Sequence, residues 1–183
     1  MNHLPSVIWI TGLSGAGKTT VASELACRLR PLVPAVVRLD GDELRETLGM
    51  VQQSERNHGR EARLELGMRY ARLCRLVAQP GVCTVVSTIS MFHEVHAWNR
   101  AHLPNYLEVY LQASLGLLRT RDPKGIYKRY EAGQIRHVAG LDLRVDEPQS
   151  PDVLINQTAR TTVEMSVASI YEEWLRAAER SSA

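Results

Sequence analysis

The sequence has few of the features on which small extracellular and membrane proteins depend. It contains three cysteines in 183 residues, with no Cys-x-x-Cys pair, which excludes a disulfide scaffold and predicts reduced thiols in a cytosol. Cys27, Cys74 and Cys83 are best interpreted as buried small apolar residues. No apolar run is long enough to cross a bilayer. The N-terminal MNHLPSVIWI lacks the basic and apolar regions of an export signal, so we expect a cytoplasmic protein.

An excess of one charge is also missing. The 22 lysines and arginines nearly balance the 20 acidic residues, for a formal net charge of +2, and the basic residues are scattered along the chain. Neither nucleic acid nor a membrane is therefore expected as the main partner. The chain has no internal repeat, low-complexity tract or linker. With 44% hydrophobic residues, residues 1–183 are predicted to form a single domain.

What the sequence does contain is an alternation of strand-like and helix-like segments. Short apolar runs predict strands buried on both faces at residues 7–11, 35–39, 83–87, 107–111 and 153–155. Helical patterns cover residues 18–30, 61–78 and 162–179, the last with a capping box from Thr161 to Glu164. Right-handed crossovers then predict an α/β fold, a three-layer α/β/α sandwich with a parallel sheet.

Residues 119–148 form a long polar section of a different kind. The segment is rich in Gly, Lys and Arg and has no strand-like run. It is too long for a simple connection within a compact domain, so we predict that it forms a mobile lid over the edge of the sheet.

A phosphate-binding motif lies between the first predicted strand and the first predicted helix. The segment GLSGAGKT, residues 12–19, satisfies the pattern G-x-x-x-x-G-K-[ST]. Its glycines let the backbone N–H groups converge on phosphates, and the helix dipole adds positive charge. Lys18 is expected to bridge the β- and γ-phosphates, and the Thr19 hydroxyl to bind Mg²⁺. A glycine-rich turn without a ligand is the alternative, which the strand–loop–helix context disfavours. The expected nucleotide-binding residues are Gly12, Leu13, Ser14, Gly15, Ala16, Gly17, Lys18, Thr19 and Thr20.

Two carboxylates follow the second predicted strand. Asp40 and Asp42 flank a glycine, and Arg45 comes one helical turn later. Because the carboxyl ends of neighbouring strands share one crevice in a doubly wound sheet, both carboxylates should face the γ-phosphate held by Lys18. A carboxylate there can orient an acceptor hydroxyl and take its proton, or bind Mg²⁺ through water. The alternative is a solvated turn in which Asp42 caps a helix.

Five segments together resemble the adenylylsulfate kinases, P-loop kinases that transfer the ATP γ-phosphate to a ribose 3′-hydroxyl. In chain order they read GLSGAGKTT, LDGDELR, RDPKGIYKRYEAGQI, AGLD and DEPQSPDVLI. The resemblance implies ATP and Mg²⁺ as cofactors, a small-molecule nucleotide as substrate, and a homodimer as one arrangement. It implies that Asp42 is the catalytic base, beside Asp40, and that Arg45 and Arg56 contact the acceptor nucleotide. At the start of the lid it implies that Arg121 binds ATP and that Lys124 reaches into the site.

The segment after the third predicted strand departs from the pattern of the family. Adenylylsulfate kinases usually have SFISPYRKDR there, whereas this sequence has STISMFHEVH, residues 87–96. Two arginine positions thereby become His93 and His96. An imidazole is mostly neutral and cannot form the pair of hydrogen bonds that a guanidinium group makes to an anion. The resemblance still implies that Ile89, Ser90 and His93 contact the substrate, with Ser90 positioning it.

Other departures also fall on the acceptor side. The FTG of the family reads VAG at residues 138–140, Gly59 stands where the family has asparagine, and a phenylalanine expected after Arg45 is missing. A nucleotide base loses about 1–3 kcal/mol for each stacking partner removed. These changes favour an acceptor other than adenylylsulfate.

The stretch ISMFHEVHAWNR, residues 89–100, resembles one branch of the family, the kinases of capsule phosphoramidate pathways. Those enzymes phosphorylate the ribose of cytidine diphosphoramidate, so a cytidine diphosphate derivative is the favoured acceptor and adenylylsulfate the alternative.

The spacing of His93 and His96 is not that of a zinc protease, which favours substrate contact or a polar helix start over catalytic zinc. The rival from another class is a non-catalytic ATP sensor. A GTPase is disfavoured because no N/T-K-x-D segment is apparent.

Overall fold

The computed structural model describes residues 7–48 and 59–180. Its strands are β1 (Val7–Thr11), β2 (Val36–Asp40), β3 (Cys83–Ser87), β4 (Tyr106–Ala113) and β5 (Val153–Gln157). Its helices are α1 (Lys18–Leu29), α2 (Gly41–Thr47), α3 (Arg60–Ala78), α4 (His93–His102), α5 (Leu115–Arg121), α6 (Ile126–Glu131) and α7 (Val163–Arg180). Every predicted strand is present, with ends shifted by a residue or two at most. The helical patterns did not predict α2, α5 and α6, and at α4 only a polar helix start was expected.

The five strands form one parallel sheet in the order β2-β3-β1-β4-β5. β1 is central, and its Ile10 is in register with Ser87 of β3 on one side and Val109 of β4 on the other. The loop after β1 therefore leaves the middle of the sheet, beside the carboxyl ends of both neighbours. This is the crevice in which open α/β sheets bind ligands.

Helices cover both faces of the sheet, because strand side chains alternate between them. Ile8 and Ile10 point to one face, where they join a core with residues of α1 and α7. Val7 and Trp9 point to the other face and join a core with residues of α3 and α4. The prediction of a three-layer α/β/α sandwich is confirmed. Across the two described ranges, no helix combines the length and the apolar character needed to cross a membrane.

The predicted capping box of the last helix is wrong by one residue. The Thr162 hydroxyl oxygen, not that of Thr161, accepts the hydrogen bond of the Met165 amide, at 3.2 Å. The Thr161 hydroxyl oxygen instead lies 2.9 Å from the Thr158 hydroxyl oxygen in the preceding turn. Two adjacent threonines can both cap a helix, and the turn before the helix decides which one does.

The cysteines differ in their environments. Cys74 and Cys83 are buried as predicted, and burial raises the pKa of their thiols to about 12 and about 11. Cys27 is exposed on α1, so the prediction that all three are buried is wrong. On α1 the buried positions nearby are Leu25, Ala26 and Leu29, which leaves Cys27 on the opposite face of the helix.

The lid (residues 119–148) contains more regular structure than its composition indicated. It includes the end of α5 and all of α6. The buried Tyr127 of α6 donates a hydrogen bond from its hydroxyl to the Ser14 carbonyl oxygen at 2.9 Å. Gly140 has a φ of +83°, and a Cβ there would lie 2.7 Å from a methyl carbon of Leu13. The lid therefore lies against the phosphate-binding loop, while its mobility stays a prediction.

Candidate active site

The loop between β1 and α1 has the shape of a phosphate cradle. Gly12 has a φ of +151°, and a Cβ there would lie 2.5 Å from the Leu111 carbonyl oxygen, so a larger residue would collide with β4. Gly17, directly before α1, is in the left-handed conformation with a φ of 94°. The first turn of α1 thereby opens toward the loop, where its N–H groups and dipole suit a bound phosphate.

Lys18, the first residue of α1, points back over this loop. Its Nζ donates a hydrogen bond to the Leu13 carbonyl oxygen at 2.9 Å. Burial and the positive charge of Lys124 lower the pKa of Lys18 to about 8, against the opposing effect of Asp42 and Asp40. The two carboxylates therefore do not fully compensate for the burial of the Lys18 ammonium group. The phosphates of a nucleotide would supply the additional negative charge.

Asp40 is held at the end of β2 by donors from three elements. Its Oδ2 accepts hydrogen bonds from the Thr19 and Ser87 hydroxyls, both at 2.7 Å, and its Oδ1 accepts one from the Asp42 amide at 2.9 Å. Burial alone would raise the pKa of Asp40, but the hydrogen bonds from Ser87, Thr19 and the backbone outweigh it and lower the pKa. Asp40 is the N-cap of α2, so the alternative in which Asp42 caps that helix is wrong.

Thr19 and Asp40 form an oxygen-rich corner that suits Mg²⁺. This ion prefers hydroxyl and carboxylate oxygens, keeps several waters, and takes its other ligands from substrate phosphates. Within the part of the chain that the structure describes, no group of three or more His, Cys, Asp or Glu side chains could hold a metal. The Thr19 hydroxyl and the Asp40 carboxylate fit an ion that arrives with nucleotide phosphates, and the role of Thr19 as its ligand stays a prediction.

Asp42 lies beside this corner, in the first turn of α2. Its carboxylate contacts the Lys124 ammonium of the lid and lies 3.7 Å from the Arg45 guanidinium. The side chain is 56% exposed, so an acceptor hydroxyl can reach it. The three residues predicted to be catalytic, Lys18, Asp42 and Lys124, are thus brought together, since Lys124 is also close enough to affect the pKa of Lys18.

These groups line a cleft of about 1340 Å³, which is larger than most pockets for a single drug-sized ligand. Gly12, Leu13 and Ala16 belong to the same loop but are not among the residues that line the cleft. The predicted site residues that line it are Ser14, Gly15, Gly17, Lys18, Thr19, Thr20, Asp40, Asp42, Arg45, Ile89, Ser90, Arg121 and Lys124.

Arg121 and His93 differ in their relation to the cleft. Arg121, at the end of α5, donates a hydrogen bond to the Thr158 carbonyl oxygen at 3.1 Å, which ties the start of the lid to the segment after β5. His93 is the first residue of α4, with an exposed side chain, and it is not part of the cleft lining. Arg56 lies outside the described residues.

Helix α3 contributes side chains that no sequence motif indicated. Arg63, Leu66 and Tyr70 share one face of the helix and line the cleft. Arg63 donates a hydrogen bond to the His137 carbonyl oxygen of the lid at 2.7 Å. Burial lowers the pKa of Arg63, and the nearby Arg45 lowers it further. The spacing of these residues is the only signal in the sequence, and it marks a buried face as readily as a binding face.

Residues 89–92, which we call the acceptor wall, line the cleft next to α3. All four line it, and Met91 and Phe92 are almost fully buried. Ser90 has a φ of 22°, unusual for a residue other than glycine. Its hydroxyl oxygen lies 2.9 Å from that of Thr88. A tight turn and a pair of hydroxyls therefore hold a wall whose large side chains are apolar.

The polar residues after the acceptor wall turn away from the cleft. Glu94 lies 3.4 Å from the Arg60 guanidinium of α3. His96 is buried, and its Nδ1 lies 2.6 Å from a carboxylate oxygen of Glu108 on β4. The expectation that a polar helix begins here is met by α4. His96, at a position where the family carries arginine, does not line the cleft.

Comparisons with known proteins agree with this geometry. The family model of adenylylsulphate kinase matches residues 4–156. The chain is 35% identical to the cytidine diphosphoramidate kinase of Campylobacter jejuni over 173 residues, covering 94% of this chain and 98% of that relative. It is 39% identical to the adenylyl-sulfate kinase of Vibrio cholerae over 155 residues, covering 81% and 68%. The structure of Mycobacterium tuberculosis APS kinase CysC in complex with AMPPNP and APS matches with a TM-score of 0.81 at 28% identity, covering 93% of this chain and 97% of that one.

The match to that solved structure confirms the predicted P-loop kinase fold, because both chains align over nearly their whole lengths. The relatives are named as kinases, so the chain is an ATP-dependent phosphotransferase, and the hypothesis of a non-catalytic ATP sensor has no support among them. The predicted family is confirmed as well. By its family match over residues 4–156 and its relatives above 30% identity, the chain belongs to the adenylylsulphate kinase family.

Proposed function

We propose that this protein transfers the γ-phosphate of ATP to the ribose 3′-hydroxyl of a cytidine diphosphate derivative such as cytidine diphosphoramidate. The observation that carries the choice of acceptor is the acceptor wall. Met91 and Phe92 face the cleft, whereas Glu94 pairs with Arg60 and His96 is buried outside it. A wall without a guanidinium group lacks the bidentate partner that suits a terminal sulfate. A terminal phosphoramidate carries the same single charge but adds N–H donors, which need hydrogen-bond acceptors rather than a guanidinium.

The proposed transfer uses residues from both sides of the cleft. Asp42 orients the acceptor hydroxyl and takes its proton as the oxygen attacks the γ-phosphorus, and ADP leaves. Lys18, Lys124 and Arg121 neutralise the charge on the transferring phosphoryl group. Mg²⁺ bound with ATP beside Thr19 would supply further positive charge to the phosphate oxygens.

The acceptor would bind between α3, the acceptor wall and the lid. Arg45 and Arg63 both line this side, and two guanidinium groups suit the diphosphate of a nucleotide. Val138 and Ala139 of the lid also line it, where the family pattern has a phenylalanine. Losing a stacking partner costs about 1–3 kcal/mol of base binding, which weakens the case for a purine held between two aromatic rings.

The relatives support the same choice without deciding it. The Campylobacter jejuni relative is named a cytidine diphosphoramidate kinase and aligns over 98% of its length. The Vibrio cholerae relative is named an adenylyl-sulfate kinase and is more similar within a shorter alignment, at 39% identity. Adenylylsulfate is therefore the second candidate acceptor.

Steady-state kinetics with both acceptors test the proposal. ADP release is measured with MgATP and either cytidine diphosphoramidate or adenylylsulfate, and phosphorus NMR locates the new phosphate on the ribose. We expect kcat/KM to be at least about tenfold higher for the cytidine compound. This is the effect of one stacking contact, which the adenine of adenylylsulfate loses where the phenylalanine of the family is missing. Cytidine diphosphate is the control that separates recognition of the base from recognition of the terminal group. A higher kcat/KM for adenylylsulfate would assign the second candidate instead.

A further inference from the structure

One carboxylate of the lid holds the acceptor wall from outside the cleft. Asp146 is 53 residues from His93 in sequence, yet its Oδ2 lies 3.4 Å from the His93 backbone nitrogen, which donates to it. The same oxygen accepts a hydrogen bond from the Arg60 guanidinium at 2.8 Å. The Asp146 backbone N–H donates to the Met91 carbonyl oxygen at 2.9 Å. A single residue of the lid is therefore bonded to the acceptor wall, to α4 and to α3.

This contact supplies a helix cap that α4 lacks. The N-cap residue of α4 is Phe92, which makes no side-chain capping bond. The Asp146 carboxylate takes that place from a distant part of the chain, and a negative charge is favourable at the start of a helix. Burial would raise the pKa of Asp146, but hydrogen bonds from His93 and Arg60 outweigh it and lower the pKa. The group is therefore ionised at neutral pH.

Cleft-lining side chains lie immediately next to this contact. Phe92 and Val145 line the cleft, and each directly precedes a residue that takes part in the contact. The Arg60 guanidinium carbon lies 5.2 Å from the centre of the Phe92 ring, so Arg60 packs on the wall as well as on Asp146. Any movement of the carboxylate would shift both the wall and the end of the lid.

We propose that Asp146 is a positioning residue that lowers the KM of the acceptor nucleotide by fixing the acceptor wall against the lid. The inference rests on the proposed function, because it requires the acceptor to bind between wall and lid. Glu94 offers a matched comparison, since it also pairs with Arg60. Its side chain is 52% exposed, against 10% for Asp146, and exposed ion pairs contribute little.

The test compares Asp146→Ala, Asp146→Asn and Glu94→Gln in steady-state kinetics with cytidine diphosphoramidate, or with adenylylsulfate if wild type prefers it. We expect Asp146→Ala to raise the acceptor KM about 10- to 100-fold, the cost of a lost charged hydrogen bond, with the ATP KM within about twofold of wild type. Asp146→Asn keeps an oxygen acceptor for the His93 N–H and should recover part of the loss. Glu94→Gln should resemble wild type. Unchanged KM values with only a lower melting temperature would overturn the proposal.

Hydrogen exchange distinguishes failure of this inference from failure of the proposed function, because it needs no substrate. In Asp146→Ala, amides in the first turn of α4 should exchange at least about tenfold faster, while those of β1 and α1 should not change. Unchanged exchange at the start of α4 overturns the inference whatever the acceptor is. If wild type phosphorylates neither nucleotide, the proposed function fails, and the exchange result still decides whether Asp146 caps α4.

Discussion

The two ends of the cleft are built in different ways. The ATP end comes mainly from the continuous loop after β1, with Asp40 and Ser87 added by neighbouring strands through hydrogen bonds of 2.7 Å. The acceptor end is assembled from α3, the acceptor wall and the lid, which are joined by side-chain contacts such as that of Arg63 with the His137 carbonyl. The sheet backbone thus places the chemistry that the family shares. Side chains from separate segments form the acceptor end, which can change while the ATP end stays intact.

Replacing Asp42 by Asn tests whether the two ends meet at one carboxylate. We expect turnover to fall by about 10²–10⁴, the range for loss of a positioned base. Affinity for a non-hydrolysable ATP analogue, measured by calorimetry, should stay within about twofold. Glu43→Gln is the control, because Glu43 is the next carboxylate in the chain and pairs with Arg38. Retained turnover in Asp42→Asn would show that the base is elsewhere.

Replacing Arg63 by Met should damage the acceptor end selectively. The acceptor KM is expected to rise about 10- to 100-fold, because hydrogen bonds to charged groups contribute about 1.5–3 kcal/mol, while the ATP KM changes little. Arg69→Met is the matched control, since Arg69 lies on the same helix but pairs with Glu65 at the surface. An equal rise in both KM values would mean that the ends are not independent.

The pH dependence of ATP binding should report on Lys18 alone. Its pKa is lowered to about 8 in the protein without nucleotide, and bound phosphates raise it again. ATP binding therefore takes up a proton above pH 8, and affinity should fall about tenfold per pH unit there. Calorimetry in two buffers of different ionisation enthalpy measures this uptake. Proton uptake that persists in Lys18→Met would assign it to another group.

The smallest expected effect comes from Tyr127, through which the lid also contacts the ATP end. Tyr127→Phe removes the hydrogen bond to the Ser14 carbonyl, which contributes about 0.5–1.5 kcal/mol. We expect a rise of a few-fold in the ATP KM and a slightly lower melting temperature. Tyr130→Phe, at a half-buried tyrosine of the same helix outside the cleft lining, should change neither. A larger effect on the acceptor KM would place this part of the lid with the acceptor end.

The difference between the two ends also explains what the sequence could predict. Buried parallel strands have continuous apolar runs, and the phosphate loop is a local motif with a fixed relation to the strand before it. Both can be identified from neighbouring residues. The positions of the sheet, Lys18, Asp40 and Asp42 followed from that local information.

The acceptor end depends on contacts between residues far apart in the chain. The family pattern indicated Arg56, which lies outside the described residues, so its contact with the acceptor stays a prediction. No pattern indicated that Arg63, Leu66 and Tyr70 of α3 line the cleft. The cap of α4 comes from Asp146, and His96 finds its partner on β4. No local pattern encodes such pairings, because they exist only once the helices have packed on the sheet.

The exposure of Cys27 makes the lid accessible to single-molecule spectroscopy. The thiols of Cys74 and Cys83 are buried and remain protonated at neutral pH, whereas maleimide dyes react with accessible thiolates. Wild-type protein should therefore take one dye, on α1. Replacing the exposed Lys128 of α6 by cysteine (Lys128→Cys) would add a second accessible thiol and place another dye on the lid. Energy transfer between them, with and without ATP, would measure directly how far the lid moves.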